Sequence, residues 1–194
     1  MSENDDPAPG TTPARPAQAT DRGLAEAVPE IERHVAAGGW DGPVRVFALV
    51  GTRQALAAEP TLAAQLAPEV LARSAEDAHH LTAVEQEGLP AATSLEELLA
   101  GLSWPATVDG AAVVVERVVL PSAAEEAMPP EPDAALEYLM AHPDRQDVRL
   151  AVGVLRTGGS WCAVRTRAND ADAAVAGGPD LVPGLVEAVA ATLL

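Results

Sequence analysis

The basic side chains of this 194-residue chain are twelve arginines with no lysine, and five of them, Arg145, Arg149, Arg156, Arg165 and Arg167, share a stretch holding one acid, Asp147. A local excess of four positive charges thus sits inside a chain of formal net charge −17. Guanidinium forks bind carboxylates and phosphates through paired hydrogen bonds. The cluster suits either of two roles: a site for a carboxylate-bearing peptide or a phosphate, or a structural ion network neutralised by Asp147, Glu116 and acidic neighbours.

Other residue types capable of chemistry are sparse. His79 and His80 precede Glu85, Gln86 and Glu87, a mixture that suits zinc or manganese. Adjacent strand residues point to opposite sides, however, and no H-E-x-x-H spacing occurs, so these are expected as loop or edge residues. Glu85 and Glu87 share one side of a strand, but nothing in the sequence marks the burial that acid–base work would need. Gly158-Gly159-Ser160-Trp161-Cys162 fails the G-x-S-x-G pattern, and no G-x-G-x-x-G is present. Without lysine, neither a Walker A loop nor a pyridoxal-phosphate Schiff base can be built. Cys162 is the only cysteine, which rules out an intrachain disulfide, a C-x-x-C pair or a Cys-cluster metal site. No catalytic residue, metal or cofactor is assigned.

The arginine cluster depends on a hairpin for its geometry. Residues 147–156 and 160–168 alternate as strands around Thr157-Gly158-Gly159, and loop length fixes which side chains share a face. A two-residue Gly158-Gly159 loop would set Arg165 opposite Val152 and Arg167 opposite Leu150. A three-residue loop of Thr157, Gly158 and Gly159 instead pairs Val154 with Cys162, Val152 with Val164, Leu150 with Thr166 and Val148 with Ala168. That face is cleanly apolar, which favours the second register. The opposite face then carries Trp161 beside the small residues Gly153, Ala163 and Ala151, room for a packed helix or a partner. Farther out Arg149 faces Arg167, with Arg165 alongside, an arrangement of like charges that requires compensation. Arg149, Arg165, Arg167 and Trp161 are therefore the candidate binding residues.

The surrounding elements follow from periodicity and punctuation. Leu24, Val28, Ile31 and Val35 make a helical stripe over residues 22–37, with Pro29 marking a first turn or a kink. Residues 44–50 (VRVFALV) read as a buried strand, with Thr52 placed to cap a following helix. A helical piece spans about 61–73, and residues 79–86 suit a strand. Ser94 and Glu97 form a capping box. Residues 111–120 (AAVVVERVVL) are the most strand-like segment, and a Pro- and acid-rich connection leads to a helix over 133–141. Asp180 is expected to cap a C-terminal helix with Leu181, Leu185, Val189 and Leu193 on one face. The paired glycines are expected as turn material, and Trp40 and Trp104 as core anchors. Together these predict one α+β domain over residues 21–194, a mostly antiparallel or mixed sheet with a C-terminal hairpin and helices packed on it. A doubly wound parallel sheet is the lesser alternative.

Residues 1–20 carry Pro7, Pro9, Pro13 and Pro16 and no aliphatic residue larger than alanine after Met1, the composition of a disordered tail. The acidic balance argues against nucleic acid or an anionic membrane surface as partner. No leader-like or membrane-spanning stretch appears, and a lone cysteine fits a reducing compartment, so a cytoplasmic location is expected. A GC-rich genome would produce the arginine bias.

The segments LTAVEQEGLP, WPATVDGAAVVVERVVLP, HPDRQDVRLAVGVLR and GPDLVPGLVEAVAATL together resemble an uncharacterised family of small acidic proteins from GC-rich actinobacteria, over about residues 39–193. The resemblance implies a bacterial cytoplasmic setting and no catalytic residues. Three functions are open on these grounds: a non-enzymatic binding or adaptor protein whose basic sheet face receives an acidic peptide or a protein partner, a small-anion or nucleotide-binding protein, enzymatic or not, and a homodimer joined through that face.

Overall fold

The computed structural model describes residues 19–194. The expected tail lies outside the described residues, except that Ala19 and Thr20 already belong to the first helix. In chain order the elements are α1 (Ala19–Ala36), β1 (Arg45–Gly51), α2 (Thr52–Ala58), α3 (Pro68–Glu76), β2 (Leu81–Glu85), α4 (Leu95–Ala100) and β3 (Gly110–Val119). Then follow α5 (Ser122–Glu126), α6 (Pro132–Ala141), β4 (Gln146–Leu155), β5 (Ser160–Thr166), β6 (Ala176–Gly178) and α7 (Pro183–Ala191).

The six strands form one sheet in the order β2-β1-β3-β4-β5-β6, and every neighbouring pair is antiparallel. The fold is α+β. Alternation along the strands builds a core on each face. On one face α1 lays Leu24, Val28 and Ile31 against Phe47, Leu49, Ala112, Val114, Ala151 and Ala163. On the other, α4 and α7 supply Leu95, Leu98, Leu185 and Val189 against Val46, Val113, Val152 and Cys162. The long β3 and β4 are covered on both sides, which is why their buried stretches, AAVVV and LAVGVL, read as apolar runs rather than as polar alternation.

The structure corrects the hairpin register. The loop is Arg156, Thr157 and Gly158, closed by Leu155 N to Gly159 O at 3.2 Å and Gly158 N to Leu155 O at 3.0 Å. Gly158 has φ +84°, the left-handed residue that ends a three-residue hairpin loop. Arg156 leaves the ladder because its guanidinium donates to carbonyls of Val108 (2.9 Å), Trp104 (3.1 Å) and Leu193, tying the turn to both ends of the opposite core. Every pair moves by two residues, so the faces keep their membership while partners change: Val152 faces Cys162, Gly153 faces Trp161 and Arg149 faces Arg165.

Several local expectations also change. Asp180 caps nothing: α7 begins at Pro183 after Val182, without a side-chain cap, and Leu181 lies exposed outside the helix. Thr52 is the first residue of α2 rather than its cap. α1 runs through Pro29, so Pro29 does not mark its first turn. Gly177 belongs to the short edge strand β6. The helical piece after Thr61 is a 3-10 turn over Pro60–Ala64, and Pro68 then starts α3. Ser94 caps α4 as expected, accepting from Glu97 N at 3.1 Å, although the Glu97 carboxylate returns to Thr93 N (2.7 Å) rather than to Ser94 N.

Candidate functional site

Three strands bring a charged row to the α1 face. Glu116 on β3 faces Arg149 on β4, which in turn faces Arg165 on β5. Two arginines side by side on a sheet would repel. The compensation comes from above, because α1 places Glu32 over them. Its carboxylate accepts from Arg165 Nε and Nη2 at 2.7 Å each, and Oε1 stands 3.7 Å from Arg149 Nη1. Glu32, Arg149 and Arg165 are 1%, 0% and 2% exposed.

The rest of the shell comes from Glu116 on β3 and from loops. Arg149 donates to Glu116 Oε1 from Nε (3.2 Å) and Nη2 (2.8 Å), and Nη2 also reaches Gly39 O. Arg165 adds Asp170 Oδ1 at 3.2 Å and Asp172 Oδ1 at 2.7 Å. Hydrogen bonds donated to carboxylates, to Glu32 first and then to Asp172, hold the Arg165 guanidinium protonated well beyond its ordinary range. Arg167 lies nearer solvent and makes a two-pronged pair with Asp41, 2.8 and 2.6 Å. That pairing holds the Asp41 carboxyl below the usual carboxylate value. Trp40 closes the assembly: its ring lies 4.4 Å from the Arg149 guanidinium carbon and 5.4 Å from that of Arg167, and its Nε1 donates to Asp170 at 2.9 Å. Trp40 is thus a cover over the arginines, not an anchor in either apolar core, whereas Trp104 packs against the α7 side and bonds Thr192 at 3.0 Å.

Three of the four candidate residues, Arg149, Arg165 and Arg167, therefore come together, and their positive charge is directed into carboxylates of the same chain. Trp161 stands nearer the turn on the same face, at the edge of the α1 core, its Nε1 buried without a hydrogen bond. The room left by Gly153 is filled by α1, since a Cβ there would meet Val28 Cγ2 at 2.5 Å. Glu32 was the missing member. Its signal is in the sequence, because position 32 lies one turn beyond Val28 on the apolar stripe, and an acid there must find a cation or a proton.

A second polar group lies between α1, α3 and β2, where a cavity of about 280 Å³ is lined by Ile31, Phe47, Val70, Arg73, His80 and Leu81, among others. His80, expected at a loop or edge, is buried, and its Nδ1 bonds Thr52 Oγ1 at 2.7 Å. Thr52 Oγ1 also bonds Thr82 at 2.7 Å, and Thr52, 1% exposed, does not line the cavity, so the hydroxyl of this pair, the group that would act as nucleophile, is closed off from it. Glu85 pairs with Arg45, and Glu30 with Arg73. Among the described residues no three His, Cys, Asp or Glu side chains converge as metal ligands would. Cys162 lies buried in the α7-side core.

A third feature is the Pro- and acid-rich connection together with the helix expected over 133–141, which is present as α6 (Pro132–Ala141). Between β3 and β4 the chain forms α5 and α6, neither of which contributes to a sheet-face core. No residue of α6 is buried, and Leu136, Met140 and nearby Met128 are 58%, 50% and 40% exposed.

Among the described residues no helix is long and apolar enough to cross a membrane. No curated protein and no solved structure matches the chain. Residues 24–194, which hold both cores, the arginine row with Glu32 and the α5–α6 arm, match the PPA1309-like protein family, and the chain belongs to that family.

Proposed function

We propose that this chain is a non-enzymatic binding or adaptor protein, that the arginine row is its internal framework, and that its partner is met by the α5–α6 arm. The observation that carries the reading is the exposure of α6. A helix of ten residues is marginal in water unless something covers its apolar side, and exposed apolar patches mark contact sites. Arg149 and Arg165 support the reading from the other direction: apart from Arg149 Nη1, their donors are occupied by acceptors that include Glu32, Glu116, Asp170 and Asp172, so an acidic peptide or a phosphate would have to displace carboxylates of the same chain, the buried Glu32 among them. The setting we propose is the cytoplasm of a GC-rich actinobacterium, for which the lone Cys162 and the arginine-only basic composition speak.

Photo-crosslinking in the native cell tests this. A photoreactive residue at Leu136 should give discrete adducts that Met140→Asp abolishes, while one at exposed Glu69 should not. Identical adducts from both positions, or none from position 136, would overturn it.

A further inference from the structure

We infer that the partner of the α5–α6 arm is a basic segment, one in which apolar side chains are flanked by arginine or lysine; this rests on the arm being the contact surface. Spacing along α6 puts Asp133, Leu136, Glu137 and Met140 on one stripe, at i, i+3, i+4 and i+7. Leu136 therefore stands between Asp133 and Glu137, and Met140 follows Glu137. From Pro121 to Arg145 the chain carries six acids, Glu125, Glu126, Glu131, Asp133, Glu137 and Asp144, against the single cation Arg145. That cation is already used within the arm, since Arg145 Nη1 donates to Met140 O at 2.9 Å and so caps the end of α6. Among the described residues none of the six acids joins an ion pair.

By contrast Glu32, Glu85 and Glu116, which lie over or on the sheet, are each matched to an arginine. The arm thus offers an apolar pair with uncompensated negative charge around it, and charge complementarity calls for a cationic partner. A second copy is disfavoured by the same charges, because a two-fold contact would set the acidic arm against itself. An acidic peptide meets the same repulsion.

The test uses the full chain and three labelled synthetic peptides read by fluorescence anisotropy. One repeats leucine and lysine at helical spacing, one replaces every lysine with glutamate, and one replaces every leucine with serine. The leucine–lysine peptide should bind, and the other two should bind at least about tenfold more weakly. Leu136→Asp with Met140→Asp, and separately Glu131→Gln with Asp133→Asn and Glu137→Gln, should each weaken it by about tenfold or more. Removing three charges elsewhere, Glu69→Gln with Glu87→Gln and Glu187→Gln, should leave it unchanged, and circular dichroism checks that every variant is folded. Equal loss in that control, or equal binding of the serine–lysine peptide, overturns the inference as unspecific attraction to an acidic protein. Binding of the leucine–glutamate peptide that needs Leu136 and Met140 overturns the basic partner while leaving the arm as the contact surface. A dimer seen by light scattering and lost in Leu136→Asp with Met140→Asp overturns it in favour of a second copy. Leucine–lysine binding unaffected by any arm variant overturns the arm itself.

Discussion

The Glu32 carboxylate, carried by α1, accepts both Nε and Nη2 of Arg165 at 2.7 Å each, at a point where neither residue reaches solvent. It is also the nearest anion to Arg149 Nη1, which has no hydrogen bond of its own. Removing one member of such a group leaves uncompensated buried charge, so Glu32→Ala should cost about 3–5 kcal/mol in urea unfolding. Combining Glu32→Leu with Arg165→Met removes both sides of the pair and should be less destabilising than Glu32→Leu alone by at least about 1 kcal/mol. Additive losses would show that the two residues do not act as a pair.

Trp40 couples the α1–β1 loop to this network through its ring face and through its indole N–H. Trp40→Ala should lower stability by about 1–2 kcal/mol, because Arg149 loses a desolvated ring contact and Asp170 loses a donor. Trp40→Phe keeps a ring and should recover part of that loss. If Phe and Ala variants unfold at the same urea concentration, the ring over Arg149 contributes nothing measurable.

The sheet class and the two faces of the hairpin were legible because strand alternation survives an error in register: a shift of two residues changes partners but not sides. The register itself was missed because Arg156 looks like an ordinary strand residue, while its guanidinium is occupied with Val108, Trp104 and Leu193, residues brought near only by the folded sheet. The convergence of Arg149, Arg165 and Arg167 was readable from their spacing. Their direction was not, since Glu32 lies 133 positions from Arg165 and Asp41 lies 126 from Arg167. β6 escaped because Ala176-Gly177-Gly178 has no strand propensity, and only the edge of β5 makes it a strand. Asp180 has the composition of a cap, but Pro183 sets the start of α7 beyond its reach.

Close packing between α1 and the sheet centre gives a separate test. At Gly153 an added Cβ would lie 2.5 Å from Val28 Cγ2 and 3.2 Å from Leu24 Cδ2, and a β-branched side chain inside a helix has little freedom to move away. Gly153→Ala should destabilise by about 1–3 kcal/mol. Val28→Ala removes the obstructing methyl groups, so the double variant should lose less than the sum of the two single losses. Strict additivity by thermal unfolding would mean that α1 simply lifts to admit the methyl group.

His80 gives the fold a pH dependence of predictable sign. Burial, helped by the Arg73 guanidinium, holds its imidazole below the ordinary value of 6.5, while Glu30, Glu26 and Asp77 pull the other way without prevailing. The unfolded chain therefore takes up a proton near pH 6.5 that the folded chain refuses. The associated stability is fully present above that pH and is lost as the pH falls through it towards the lower folded value. Carboxylates held low by their partners, Glu85 by Arg45 and Asp170 by Trp40, lose their contribution only in the more acidic carboxylate range. Urea midpoints at about pH 7.5 and about pH 5.5 should thus differ in the native chain. His80→Gln should be weaker at both pH values, having lost the imidazole that Thr52 holds, but should show a smaller difference between them. An undiminished difference in the variant would move the titrating group elsewhere.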